Sequence, residues 1–277
     1  MKWLILFTTI FFCSCVGIKK ASQIKSYISF DDALIHFKTQ EAGSIEITYT
    51  GCGGFLIQQD STAILLDPYF SNAGPLFFLP FKRLKSDTVV IDHFFTKHFG
   101  SPRDIKGNVK AILISHSHYD HLADVSTIYE RNCNAKSVEI IGSPTTKHIL
   151  SSKGIGGAVR EIMPGVKTLL PKFVLPDWIY IKNNRIRILP IPSEHAPHVC
   201  GFKLISSKKL TGDVLKYPEK VQTFPEGENY NFIIDILDAD GKIKFRIFSH
   251  AGASSSNSIG IPPNDILNEK KDRKSVV

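Results

Sequence analysis

Cysteine, long apolar runs, repeats and clustered basic residues are all scarce in this chain, and each scarcity excludes something. Of five cysteines, Cys13 and Cys15 close an apolar start. The other three, Cys52, Cys133 and Cys200, are odd in number and supply no disulfide framework. None is spaced as a zinc ligand. The apolar run over residues 3–12 is too short to cross a bilayer of roughly 30 Å as a helix; behind the short basic start Met1-Lys2 it reads as a signal peptide. Repeats and low-complexity tracts are absent, so 277 residues at 43% hydrophobic read as one good-sized domain. The net charge of +8 suits an anionic surface or substrate. Its lysines are scattered without interleaved stacking aromatics, so the charge reads as solvated surface and no nucleic-acid groove is expected.

What the chain does have is His116-Ser117-His118-Tyr119-Asp120-His121, three imidazoles and a carboxylate on one short turn. The preceding run, residues 109–115, is apolar and rich in β-branched residues, which reads as a buried strand ending where the polar chemistry begins. Ligands this close in sequence cannot all face one ion from a strand or a helix, so the turn must splay them between two. His116 and His118 are then candidates for one metal and Asp120 and His121 for the other, with a water between them as the nucleophile. A histidine-rich solvated loop or an expression tag is the bland alternative. Tags are terminal, whereas this run is internal and sits between a strand and a helix-like stretch.

This motif resembles the His-x-His-x-Asp-His signature of the metallo-β-lactamase superfamily. Residues 50–57 and 63–68, the latter ending in Asp67-Pro68, resemble its opening hairpin. The resemblance implies a four-layer αββα sandwich, where periodicity alone says only α/β or α+β. It also implies that Asp67 supports the ligand turn from behind. A third histidine for the first metal is then expected after a later strand; His195 is our choice and His198 the alternative. The family also has a carboxylate bridging both metals, and two registers compete for that place. Gly212-Asp213 is one. The other is a hairpin of strands 230–237 and 242–248, which puts His250 there. The hairpin is preferred because its strands and turn are plain; an imidazole, however, supplies no bridging negative charge.

A last strand, helix and histidine of the family pattern have no counterpart after residue 251, so the second half of the sandwich is expected to be incomplete. Residues 272–277 can be back-translated into the start of a common sequencing adapter and are expected to be non-native. The truncated chain is accordingly expected to be unstable or inactive.

At the other end, Phe12-Cys13-Ser14-Cys15 resembles a bacterial lipobox. The expected organisation is a lipoprotein leader over 1–15 with Cys15 as lipid anchor, a polar tether over 16–28 and the domain over 29–271. Such a protein would be held on a membrane of the bacterial envelope, outside the cytoplasm. Further elements expected are a helix over 31–38, one over 122–131, a strand over 138–141, a helix capped by Ser143 with Pro144 in its first turn, and a hairpin over 178–190 turning at Asn183-Asn184. Residues 68–99 are rich in aromatics with basic neighbours and allow two readings: a lid or lipid-contacting loop, or rings packed on the core.

Taken together, the resemblance implies a zinc-dependent hydrolase, with manganese or iron also admissible. In it a metal-bound hydroxide attacks a phosphoryl or acyl centre, and Asp120 orients the nucleophile or relays its proton. Residues 114–122, Tyr119 above all, look most like the branch of ascorbate 6-phosphate lactonase and N-acylphosphatidylethanolamine phospholipase D. A phosphodiester, lactone or ester of a small or lipid-like molecule is the expected substrate. A non-catalytic metal-binding lipoprotein and a nuclease of the same superfamily are the alternatives.

Overall fold

A computed structural model describes residues 44–72, 79, 81–163, 167–170, 173–175, 177–181, 185–195, 208–251 and 260–262. Cys15, the leader, tether and tail, the expected helix over 31–38, the Asn183-Asn184 turn, Cys200 and His198 lie outside the described residues.

Alternating apolar residues fold as the antiparallel strands β1 (Glu46–Gly51), β2 (Gly54–Gln59) and β3 (Thr62–Leu66). The chain then crosses over to parallel strands β4 (Val109–Leu113), β5 (Glu139–Gly142) and β6 (Val159–Glu161), completing a six-stranded sheet in the order β1 to β6. Parallel neighbours need long connections, and helices fill them. These are α1 (Thr88–Phe99), α2 (Tyr119–Leu122), α3 (Val125–Thr127), which runs into a π-turn at Ile128–Asn132, and α4 (Pro144–Ser151). A small pair, β7 (Lys167–Leu170) and β8 (Phe173–Leu175), precedes a second sheet, all antiparallel. Its strands β9 (Ile179–Tyr180), β10 (Ile186–Ser193), β11 (Asn229–Leu237) and β12 (Ile243–Ser249) stand in the order β12-β11-β10-β9.

Period-two patterning decides the layers, because successive side chains of a strand face opposite ways. Leu65, Ile112 and Ile114 meet Ile91, Phe94 and Phe95 of α1, Leu122 of α2 and Ile149 and Leu150 of α4. Their neighbours Ile64, Leu66, Ala111 and Leu113 face the other way and pack on Ile186, Ile188, Phe232, Ile234 and Ile236 of the second sheet. Strands buried on both faces read as continuous apolar runs, as 63–66 and 111–114 do. Helices, sheet and sheet are thus three layers of an αββα sandwich among the described residues. The outer face of the second sheet carries a smaller cluster, Leu189, Ile191 and Ile233, with Trp178 and Phe248 against it.

Helix α1 accounts for part of the aromatic segment. Asp87 caps it, Oδ1 accepting from the N–H groups of Val89 and Val90, and Gly100 ends it in the left-handed region at φ 74°. Its apolar stripe turns Phe94 and Phe95 into the core beside Tyr69 and Phe70, which are also buried. Packing therefore accounts for these four rings; Phe81 stands 75% exposed, and Phe77 and Phe78 lie outside the described residues. The capping signals were present in the sequence, but aromatic composition obscured the helical period. Helix α4 forms as expected, Ser143 Oγ accepting from the Thr146 N–H with Pro144 at the first position. The helix expected over 122–131 is instead broken into α2, α3 and the π-turn.

Candidate metal centre

Strands β3 and β4 are parallel neighbours, so their carboxyl ends emerge side by side. Asp67 follows β3 and residues 114–121 follow β4. Asp67 is fully buried, holds a left-handed φ of 43°, and donates its N–H to the Leu113 carbonyl. Its Oδ1 accepts from the Ser115 N–H at 2.7 Å, and its Oδ2 stands 3.0 Å from His121 Nδ1. One carboxylate thereby holds the start of the ligand turn and turns the far nitrogen of His121 outwards. Burial works against a charged His121, but the charge and hydrogen bond of Asp67, with the charge of Asp120 added, hold its pKa above the ordinary imidazole value.

The backbone over this carboxylate has no room for side chains. A Cβ on Gly54 would come within 2.4 Å of the Asp67 carbonyl oxygen, and one on Gly51 within 2.7 Å of that of Tyr69. Gly51 and Gly54 of the Gly-Cys-Gly-Gly turn between β1 and β2 are explained by this crowding, and Gly53 by its left-handed φ of 95°. Cys52 at its tip is exposed. Its thiol, partly screened from water and then acted on by the charges of Asp120 and Asp124, is pushed up in pKa.

His116 and His118 are almost completely buried. Ser115 Oγ lies 3.1 Å from His116 Nδ1, leaving His116 Nε2 to approach His118 Nδ1 at 3.1 Å. His195, just beyond β10, brings its ring to 4.9 Å from that of His116 and 4.8 Å from that of His118, centroid to centroid. Donor atoms of His116, His118 and His195 all fall within 4.8 Å of one another. Two nitrogens bound to one tetrahedral zinc at about 2.0–2.1 Å stand about 3.3 Å apart, so the chemistry and spacing of these imidazoles fit a divalent ion. Asp120 and His121 sit to one side: the His121 ring is 4.0 Å from that of His116, and Asp120 Oδ2 is 3.8 Å from His121 Nε2. Asp120 is partly exposed.

The two positions weighed for the bridging carboxylate are placed elsewhere. Asp213 accepts from His148 Nδ1 at 2.7 Å on the exposed side of α4. His250 is exposed just past β12, its ring stacked on Phe248. Among the described residues, no carboxylate joins the three-histidine group.

Two supports of the site were not read from the sequence. The first is the segment before β11. The Glu226 carbonyl accepts from the Ser117 N–H, and the Tyr230 N–H donates to the Ser115 carbonyl, tying the ligand turn to the second sheet. No local pattern announces such a contact between residues about 110 apart. The second is Asp124, three positions after His121 and thus one helical turn on. Its Oδ2 accepts from the Phe70 and Ser71 N–H groups and its Oδ1 from Ser71 Oγ, each at 2.8 Å. Burial raises the Asp124 pKa, against the pull of Ser86, Ser71 and these backbone donors.

The sign follows from linkage. The folded state keeps the Asp124 proton over a range where the unfolded chain has lost it. This group therefore makes stability fall as pH rises from about 4, the unfolded value, through the raised folded value, and contributes no slope above it. In Asp124→Asn that limb should vanish. Urea unfolding across pH should show a parent-minus-variant difference that changes over this range and then levels; a difference constant from pH 4 upwards would refute the assignment.

A histidine triad, two of its members buried and one partly so, at the joined ends of two stacked sheets defines a metal-binding αββα protein. Residues 62–222, more than half of the chain, match the family model described as the beta-lactamase superfamily domain, and the chain belongs to this family. Solved structures with a similar fold include a metallo hydrolase of the hyperthermophilic archaeon Ignicoccus hospitalis, 16% identical, covering 74% of this chain and 60% of that one with a TM-score of 0.39. Another is a protein of Parabacteroides distasonis described as a metal-dependent hydrolase, 17% identical, covering 77% and 63% with a TM-score of 0.39. The chain thus spans about three fifths of the length of these two. No curated protein matches it.

Proposed function

We propose that the chain is a metal-dependent hydrolase in which His116, His118 and His195 hold one divalent ion and Asp120 and His121 face a second. The observation that carries this reading is the convergence of three imidazoles from two sheets within 4.8 Å. Zinc suits this donor set, and manganese or iron is admitted by it. When bound, such an ion acidifies water into a nucleophile at neutral pH and stabilises negative charge on the attacked group. The chain's own contribution is positional. Asp67 and Ser115 set the two imidazoles of His121 and His116, and partly exposed Asp120 orients the nucleophile or takes its proton. Tyr119, whose ring meets that of Tyr69 edge-on at 5.8 Å, carries the likeness to the lactonase and phospholipase D branch. That likeness supports a phosphodiester, lactone or ester substrate. The likeness of Phe12-Cys13-Ser14-Cys15 to a lipobox supports an anchored protein outside the cytoplasm.

A second reading, a metal-binding protein without turnover, draws on the placement of Asp213 and His250 away from the triad. Metal content by mass spectrometry, paired with a screen of generic phosphodiester, ester and lactone substrates on the full-length protein, separates the two. Close to two ions per chain, with turnover lowered about a hundredfold or more in Asp120→Ala, is the hydrolase result. Bound metal with no turnover on any of these substrates would establish the second reading and sink the first.

A further inference from the structure

Three exposed apolar residues of the helical side come from two distant stretches that the fold brings together. Phe81 is 75% exposed, Val89 at the start of α1 is 77% exposed, and Leu215 is fully exposed. Exposed Lys82, Arg83 and Lys85 surround the first of these, and exposed Lys216 follows Leu215. Glu219 joins the stretches: its backbone carbonyl accepts from the Leu84 N–H at 2.7 Å, and its carboxylate pairs with Arg83 at 3.2 Å and Lys216 at 3.1 Å. Lys153 adds a further cation, its Nζ lying 4.9 Å above the Tyr217 ring.

Single apolar tips set among cations differ from the contiguous apolar patch that marks a protein interface. They match a surface with a thin apolar boundary beneath anionic headgroups. We propose that this face docks on an anionic lipid surface, with Phe81 and Leu215 entering the headgroup region and Lys82, Arg83, Lys85 and Lys216 lying against lipid phosphates. Charge complementarity selects the occupant. Five cations, Lys82, Arg83, Lys85, Lys153 and Lys216, stand against three carboxylates here: Glu219 pairs with Arg83 and Lys216, Asp213 with His148, and Asp87 caps α1, so the face keeps a net positive charge on a chain that carries +8. The face is also coupled to the metal turn. Tyr217 donates to the carbonyls of Leu122 and Ala123 directly behind α2, and the Asp87 N–H donates to Ser71 Oγ, which Asp124 holds. The surface does not depend on the hydrolase reading, since nothing in it is a metal ligand.

Vesicle flotation tests it with the full chain carrying Cys15→Ser in every arm, so that lipid modification contributes nothing. Vesicles of phosphatidylcholine with phosphatidylglycerol should bind the parent, vesicles of phosphatidylcholine alone much less, and added salt should weaken the binding. Phe81→Ser with Leu215→Ser should lower partitioning about tenfold, and Lys82→Gln with Lys85→Gln and Lys216→Gln by a similar factor. An unchanged thermal transition in these surface variants shows that the fold is intact. Equal binding by parent and variants, or no preference for phosphatidylglycerol, overturns the proposal. So does a parent dimer that Phe81→Ser with Leu215→Ser dissociates while vesicle binding is unaffected, because the face would then belong to a second copy of the chain.

Discussion

Asp67→Ala is expected to cost about 3–5 kcal/mol of folding stability, the range for breaking a buried charged pair, and to weaken metal binding about 10–100-fold. Three effects converge at this residue. The Ser115 N–H loses its acceptor inside the protein, which by itself costs about 1–3 kcal/mol. His121 keeps its burial but loses the carboxylate 3.0 Å away that opposes it, so both its charge and its orientation change. Alanine must also adopt the φ of 43°, a region that Asp tolerates better than Ala. Asp67→Asn should be intermediate, because it retains an acceptor for Ser115 without the charge. Urea unfolding and metal titration on the three proteins measure both parts. Native-like metal affinity in Asp67→Ala would show that the ligand turn holds its shape unaided.

Asp235→Ala should be as damaging to the second sheet, again by about 3–5 kcal/mol, or about 10 °C in melting temperature for a chain of this size. Asp235 lies at the centre of β11, fully buried, with Arg187 of β10 and Arg246 of β12 as its direct cross-strand partners. Arg246 donates to it from Nε and Nη2, each at 2.6 Å, and Arg187 Nε donates at 2.8 Å beneath the Trp178 ring. The row runs across three strands. A one-residue slip would carry each charge to the opposite, apolar face, so the row holds the register that delivers His195 from the end of β10. Loss of the shared carboxylate removes this device and leaves guanidinium charge in a dry setting. Asp235→Ala melting within a degree or two of the parent would contradict the account.

Much of the fold was legible because it rests on local rules. The strands around residues 46–66, 109–113 and 229–249 announced themselves by alternation or by continuous β-branched runs, and Ser143-Pro144 announced α4 by capping chemistry. Helix α1 was legible in principle, through Asp87, Gly100 and the spacing of Ile91, Phe94 and Phe95. The density of aromatic residues left a lid and core packing both open, and burial of Phe94 and Phe95 decided for packing there. The break in the helix after the motif was not legible, since the residues from 119 to 132 have ordinary helical character and the π-turn is a tertiary accommodation.

At the site, the sequence by itself determined the donors: His116, His118, Asp120 and His121 must share a turn because they are neighbours along the chain, and residues 109–115 must deliver them from a strand end. Tertiary structure alone decided which distant groups meet them. His195 stands beside His116 and His118 because two sheets stack at their apolar faces and β10 ends at the same rim as β4. Asp67 reaches Ser115 and His121 because β3 and β4 lie in parallel, and Glu226 and Tyr230 brace the turn across the same junction. The placement of Asp213 against His148 was likewise unreadable from spacing. The reason is physical: covalent connection and local propensity act over a few residues, while these contacts follow from burying apolar faces whose partners lie tens to more than a hundred positions away.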